Sequence, residues 1–171
     1  MSVIILSGPV GAGKTTVAKQ LVAVSPAPVA CIEGDQFWTF IAKDGGIPQV
    51  KSFRTLMLSM VAASIPYAVA GFEVVIDFSI PPWFLDTVLK IVKTRNVPLH
   101  YIVIRPALAI CVARAKNREE GVINDYALYR DLYTSFDGYK RYTISDDMSN
   151  AETLAKQIRA ELNEGRFRVP E

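Results

Sequence analysis

Short apolar runs alternate with longer helix-like stretches along the chain, a rhythm that predicts buried strands separated by helices. Five runs read as strands: Val3–Leu6, Val29–Ile32, Glu73–Phe78, Leu99–Ile104 and Tyr139–Ile144. Between them, helices are expected over about Lys14–Val24, Gln36–Ile41 (short), Ser52–Ala70, Trp83–Asn96, Pro106–Arg118 and Asp125–Phe136, with a closing amphipathic helix over Asn150–Asn163. Ser25-Pro-Ala-Pro28 and Asp44-Gly-Gly-Ile-Pro48 supply turns. Pro66 predicts a bend in the long third helix, and Asp35 is a good residue to cap the helix that follows it. The polar tail from Gly165 is expected to fray. Continuously apolar strands joined by helices define an α/β fold with a parallel sheet covered on both faces. Without a repeat or linker, residues 1–171 read as one domain.

Composition narrows the partners. Nineteen Lys and Arg face seventeen Asp and Glu, a net +2 with no dense basic run and no basic stripe interleaved with aromatics. Nucleic acid is therefore not an expected partner. The two cysteines, Cys31 and Cys111, lie in apolar patterns and read as buried free thiols, and no Cys or His spacing suits a structural zinc. The uncharged stretch Thr55–Phe72 approaches the length of a membrane span, but Pro66, Gly71 and serines interrupt it. A buried helix leading into a buried strand is the better reading. The first strand begins at Val3, which leaves no room for a leader, so a cytoplasmic protein without membrane partners is expected, as a monomer or weak homodimer.

The most specific stretch is Gly8-Pro-Val-Gly-Ala-Gly-Lys-Thr15, which fits GxxxxGK[ST] between a strand and a helix. Its glycines, Gly8, Gly11 and Gly13, let the backbone turn its N–H groups inward around phosphate oxygens, with Ala12 and Thr16 in the same loop and helix start. Lys14 suits the β- and γ-phosphates and the Thr15 hydroxyl suits Mg²⁺. ATP with Mg²⁺ is therefore the expected cofactor set.

In a parallel sheet the ligand lies beyond the carboxyl ends of the strands. Glu33 and Asp35 leave the second strand there; Asp35 is the preferred carboxylate to orient an acceptor hydroxyl and take its proton, with Glu33 second. Asp77 ends the third strand and suits a Mg²⁺-linked role, with Ser79 nearby. Arg54 is a candidate anion clamp at the start of an apolar helix. Phe37, Trp38, Phe40, Phe53, Trp83 and Phe84 form an aromatic set that is mostly core, part of which could wall an acceptor site. Arg114 and Arg118 stand four apart before the irregular Glu119–Asn124, a placement suited to a lid at about 115–127 that carries arginines to phosphate. His100 reads as structural.

These stretches, GPVGAGKTT at 8–16, EGDQFW at 33–38, VVIDFS at 74–79, RAKNREEG at 114–121 and YTISDD with AETLAKQI at the end, together resemble the small P-loop kinases that act on nucleotides and small molecules. The similarity is greatest to gluconate-kinase-like and chloramphenicol-phosphotransferase-like proteins. It implies a P-loop NTPase three-layer sandwich with strand order 2-3-1-4-5, a short mobile lid, and transfer of the γ-phosphoryl of ATP to a hydroxyl. It also implies that Asp35 is the acceptor-side carboxylate, that Arg114 and Arg118 are lid arginines, and that Ile144-Ser145-Asp146 borders the adenine. The chain departs from shikimate kinases in having Phe78-Ser79-Ile80 in place of a glycine cluster, and no NKxD guanine-reading motif is present. The expected function is an ATP-dependent kinase of a small-molecule hydroxyl. A nucleoside, nucleotide or polynucleotide-end kinase, or a nucleotide-binding regulator without transfer, is the alternative.

Overall fold

The first strand, β1 (Val3–Ser7), is buried along its whole length because it occupies the centre of a sheet with helices on both sides. The structure is a computed structural model and describes residues 1–118, 121–145, 147 and 150–170. After β1 come α1 (Lys14–Ala23), β2 (Val29–Glu33), a 3-10 helix (Gly34–Phe40), α2 (Gln49–Val69) and β3 (Glu73–Asp77). The second half contains α3 (Leu85–Lys93), β4 (Leu99–Ile104), α4 (Leu108–Lys116), α5 (Arg130–Thr134), β5 (Thr143–Ile144) and α6 (Ala151–Asn163). All strands pair in parallel in the order β2-β3-β1-β4-β5, as the resemblance implies.

Alternation along the strands feeds two cores. Val3 and Ile5 of β1 join Met57, Met60 and Val61 of α2 and Val88 of α3 on one face. Ile4 and Leu6 join Leu21 of α1, Cys111 of α4 and Ile158 of α6 on the other. The uncharged stretch is thus mostly α2 laid on the sheet. By length and composition α2 could cross a membrane, but here its inner side is core. Register aligns Leu6 with Asp77 and Ile102, and Glu33 with Asp77, so the carboxyl ends of four strands lie side by side.

Several expectations are corrected. β2 is half exposed rather than buried, because the strand order puts it at an edge; Cys31 on it is exposed, and only Cys111 is buried. α2 begins at Gln49, just after Pro48, rather than at Ser52. Asp35 does not cap the helix: the cap position of the 3-10 helix is Glu33, whose side chain makes no capping hydrogen bond. The helix expected over Asp125–Phe136 is a 3-10 turn, Ala127–Tyr129, followed by the short α5.

The largest differences concern the final strand and the tail. Only Thr143–Ile144 forms β5, and a 3-10 turn at Lys140–Tyr142 precedes it. The lower edge of β4 is taken instead by the tail, which runs antiparallel: Tyr101 N–H donates to the Phe167 carbonyl at 3.0 Å and Val169 N–H to the Leu99 carbonyl at 2.9 Å. The tail is therefore docked, with Phe167 fully buried.

Candidate active site

The turn after β1 is shaped by two close approaches of backbone to backbone. Gly8 and Gly11 have φ of 140° and 79°. A side chain on Gly8 would collide with the Ile104 carbonyl, and one on Gly11 with the Cys111 carbonyl. Gly13, at φ 90°, then turns the chain into α1, whose N-terminus has no side-chain cap and no acidic residue in its first turn. The orphan N–H groups of that turn are left for an anion, which fits a phosphate.

The loop opens on a cavity of about 560 Å³, within the usual range for ligand sites. It contributes Val10, Gly11, Gly13, Lys14, Thr15 and Thr16 to the wall. Asp35 and Trp38 come from the helix after β2, Asp77, Phe78 and Ser79 from the end of β3, and Gln49 and Phe53 from the start of α2. Arg114, Arg118, Ile123, Tyr129 and Leu132 complete it.

Charge in this cavity is poised for ligands. Burial lowers the Lys14 ammonium below the ordinary lysine value, opposed by the charges of Asp77 and Asp35. Burial likewise raises the Asp77 carboxyl, opposed by the Thr15 hydroxyl and Lys14. The Lys14 Nζ donates to the Pro9 carbonyl at 3.1 Å, so the lysine folds back over its own loop. Thr15 and the buried Asp77 carboxylate fit the demands of a hard cation, which takes oxygen ligands and relieves a desolvated negative charge. Among the described residues there is no cluster of three or more His, Cys, Asp and Glu that could hold a metal.

Most of the residues singled out in the sequence meet here: Lys14, Thr15, Thr16, Asp35, Asp77, Ser79, Arg114 and Arg118, with Gly11 and Gly13. Gly8 and Ala12 are buried behind the wall and shape the loop. Arg114 donates to the Ala12 carbonyl at 3.4 Å. Arg118 does not share its helix face, because α4 ends at Lys116; it reaches the cavity from the chain beyond. Glu33 points away into an exposed hydrogen bond from Gln36 at 3.0 Å. Phe37 packs against the core and Phe40, and Arg54 lies over the Trp83 ring at 5.4 Å; neither lines the cavity. Ser145 is exposed just past β5 and does not line it either, whereas Asp146 lies outside the described residues, as do Glu119 and Glu120 of the expected lid.

Sequence reasoning missed Gln49, Tyr129, Leu132 and Ile123. Gln49 carried a signal, since it opens a helix directly after Pro48. The other three depend on how the chain after α4 folds back. Tyr126 was also missed: its hydroxyl donates to the Val10 carbonyl at 2.7 Å. His100 is far from the cavity, on β4 beside Arg168.

A glycine-bent loop on a helix N-terminus, at the carboxyl edge of a sheet ordered 2-3-1-4-5, defines the P-loop kinase fold. The model of an AAA domain family, AAA_33, matches residues 3–126, and the chain belongs to that family. A search of curated proteins returned no match. Solved structures agree on the fold. The Deinococcus radiodurans tunicamycin resistance protein shares 18% identity over 99% of both chains, with a TM-score of 0.74. The Mycobacterium tuberculosis APS kinase CysC, in complex with AMPPNP and APS, shares 15% identity over 95% of this chain and 97% of its own, at 0.73. The shikimate kinase of Acinetobacter baumannii, in complex with shikimate, shares 21% identity over 96% and 94%, at 0.65.

Proposed function

We propose that this protein is an ATP-dependent phosphotransferase that moves the γ-phosphoryl group to a hydroxyl of a small-molecule acceptor. The observation that carries this reading is that Lys14 of the phosphate loop and the carboxylate of Asp35 line one cavity. A nucleotide switch needs a metal-linked carboxylate such as Asp77 but no second one on the acceptor side, whereas a transferase needs one there to orient the incoming hydroxyl and accept its proton. The bound AMPPNP of the similarly folded APS kinase supports a nucleoside triphosphate as the donor.

Each residue then has a role. The loop N–H groups and Lys14 hold the β- and γ-phosphates and place the terminal phosphorus for in-line attack. Thr15 and Asp77 would hold Mg²⁺, which would supply positive charge to the phosphate oxygens. Asp35 aligns the acceptor hydroxyl. Arg114 and Arg118 neutralise charge that develops on the transferring group, and the chain carrying Ile123 and Tyr129 narrows the cavity against water, limiting wasteful hydrolysis.

The test is ATP turnover with Mg²⁺ against sugars, nucleosides, nucleotides, hydroxylated antibiotics and short oligonucleotides. One acceptor class should stimulate turnover strongly. Asp35→Asn should lower that turnover by about 10²- to 10⁴-fold with ATP affinity nearly unchanged. Full turnover in Asp35→Asn would remove the residue from the role given to it, and tight ATP binding without stimulation by any compound would favour a regulator.

A further inference from the structure

We infer that the acceptor is an uncharged hydroxyl compound with an apolar, planar face; this deepens the phosphotransferase reading and rests on it. The cavity has two unlike sides. The cations Lys14, Arg114 and Arg118 gather at the phosphate loop, where Lys14 bonds the Pro9 carbonyl and Arg114 the Ala12 carbonyl. The other side is built on the core beneath α2. There Trp38, Phe53, Phe78 and Leu132 pack. The Phe53 and Phe78 rings stand 5.5 Å apart between centroids, tilted by 38°. The polar groups on this side are the Gln49 amide and the Ser79 hydroxyl, both neutral, and the Asp35 carboxylate.

No cation is placed to receive an acidic acceptor among the described residues of that wall. Arg54, the nearest candidate in sequence, is committed to the exposed Trp83 ring and lies outside the cavity. A carboxylate or phosphate on the acceptor would be desolvated against aromatic rings and face Asp35 and Asp77 as like charges. An amine would pair with Asp35 and occupy the carboxylate that the transfer needs free. A planar apolar face, by contrast, finds aromatic surface, and hydroxyls find Gln49 and Ser79.

The experiment uses the full chain carrying Trp83→Phe. This leaves Trp38, in the wall, as the sole tryptophan of the original two. Its fluorescence is titrated, with AMPPNP and Mg²⁺ present, against matched pairs: phenyl glucoside with phenyl glucuronide, and hydroxylated aromatic alcohols with the corresponding carboxylic acids. Neutral members should change the signal and bind at least about tenfold tighter than their acidic partners. Gln49→Arg should narrow or reverse that preference. The inference is overturned if an acidic member binds as tightly as its neutral partner, or if no neutral member binds. ATP turnover is read in parallel. Neutral probes that bind without any turnover would refute the transferase reading alone, while turnover driven by the acidic members would refute the acceptor class and leave the transferase reading in place.

Discussion

The hydroxyl of Tyr126 donates to the carbonyl of Val10 across 2.7 Å, fastening the chain that follows α4 to the phosphate loop. The Tyr126 side chain is buried, so this bond is sheltered from competing water. Tyr126→Phe keeps the ring and removes the bond, a loss of about 1 kcal/mol. The expected outcome is roughly fivefold weaker ATP binding by calorimetry, with the melting temperature lowered only slightly. A loss of stability without any change in affinity would show that the bond serves the fold alone.

Gly11 has the same loop under a steric constraint. Its φ of 79° and its closeness to the Cys111 carbonyl leave no room for a methyl group. Gly11→Ala should move the loop and abolish measurable ATP binding while the far-ultraviolet circular dichroism stays native. Lys14→Met tests charge at the same place without steric change. Turnover should fall by about 10²- to 10³-fold, as for loss of one group that stabilises transition-state charge.

Away from the site, Glu73 and Arg159 form a forked ion pair, with both N–O distances at 2.7 Å and side chains 14% and 15% exposed. Burial pulls the Glu73 carboxyl upward, but the Arg159 hydrogen bonds and charge outweigh it and hold the group below its ordinary 4.5. A lowered carboxylate stabilises the fold above its unfolded value, and that contribution disappears as pH falls through the lowered folded value. Glu73→Gln should therefore cost about 1–3 kcal/mol at neutral pH and flatten the acid limb of a stability–pH profile measured by urea unfolding. An unchanged acid limb would show that the pair does not carry the linkage.

Phe167 is fully buried in the docked tail. Phe167→Ala should cost about 3–5 kcal/mol of stability, measured by urea unfolding, and leave ATP affinity of the folded protein intact. An unchanged midpoint would contradict the docking.

The five strands, their parallel pairing and the phosphate loop were legible because each rests on local pattern: apolar runs such as Val3–Leu6 and glycines at fixed spacing. Asp35, Asp77 and Arg118 were legible through a topological rule, since they lie at or just past strand ends or a helix end, and Arg114 stands in the last turn of α4. What escaped depends on packing between distant segments. β5 is short because the edge it was expected to fill belongs to the tail. The tail did carry a signal, since Arg166, Phe167, Arg168 and Val169 alternate polar and apolar, but four residues give too little pattern to outweigh a polar context. Arg54 lies outside the cavity lining because it sits over the ring of Trp83, a partner distant in sequence. Leu132 and Tyr129 reach the cavity only because the chain after α4 folds back across it.

The close approach of Gly8 to the Ile104 carbonyl has a consequence for how the protein is made. The turn that receives phosphate comes first in the sequence, yet its shape is held by backbone almost a hundred residues later, and β1 finds its partners only in β3 and β4. During synthesis the early chain is therefore a loop without a mould, and nucleotide has nothing to select until β4 is in place. ATP should act on this protein as a late-stage ligand: it should slow unfolding of the finished domain and leave the early steps of refolding at their own pace.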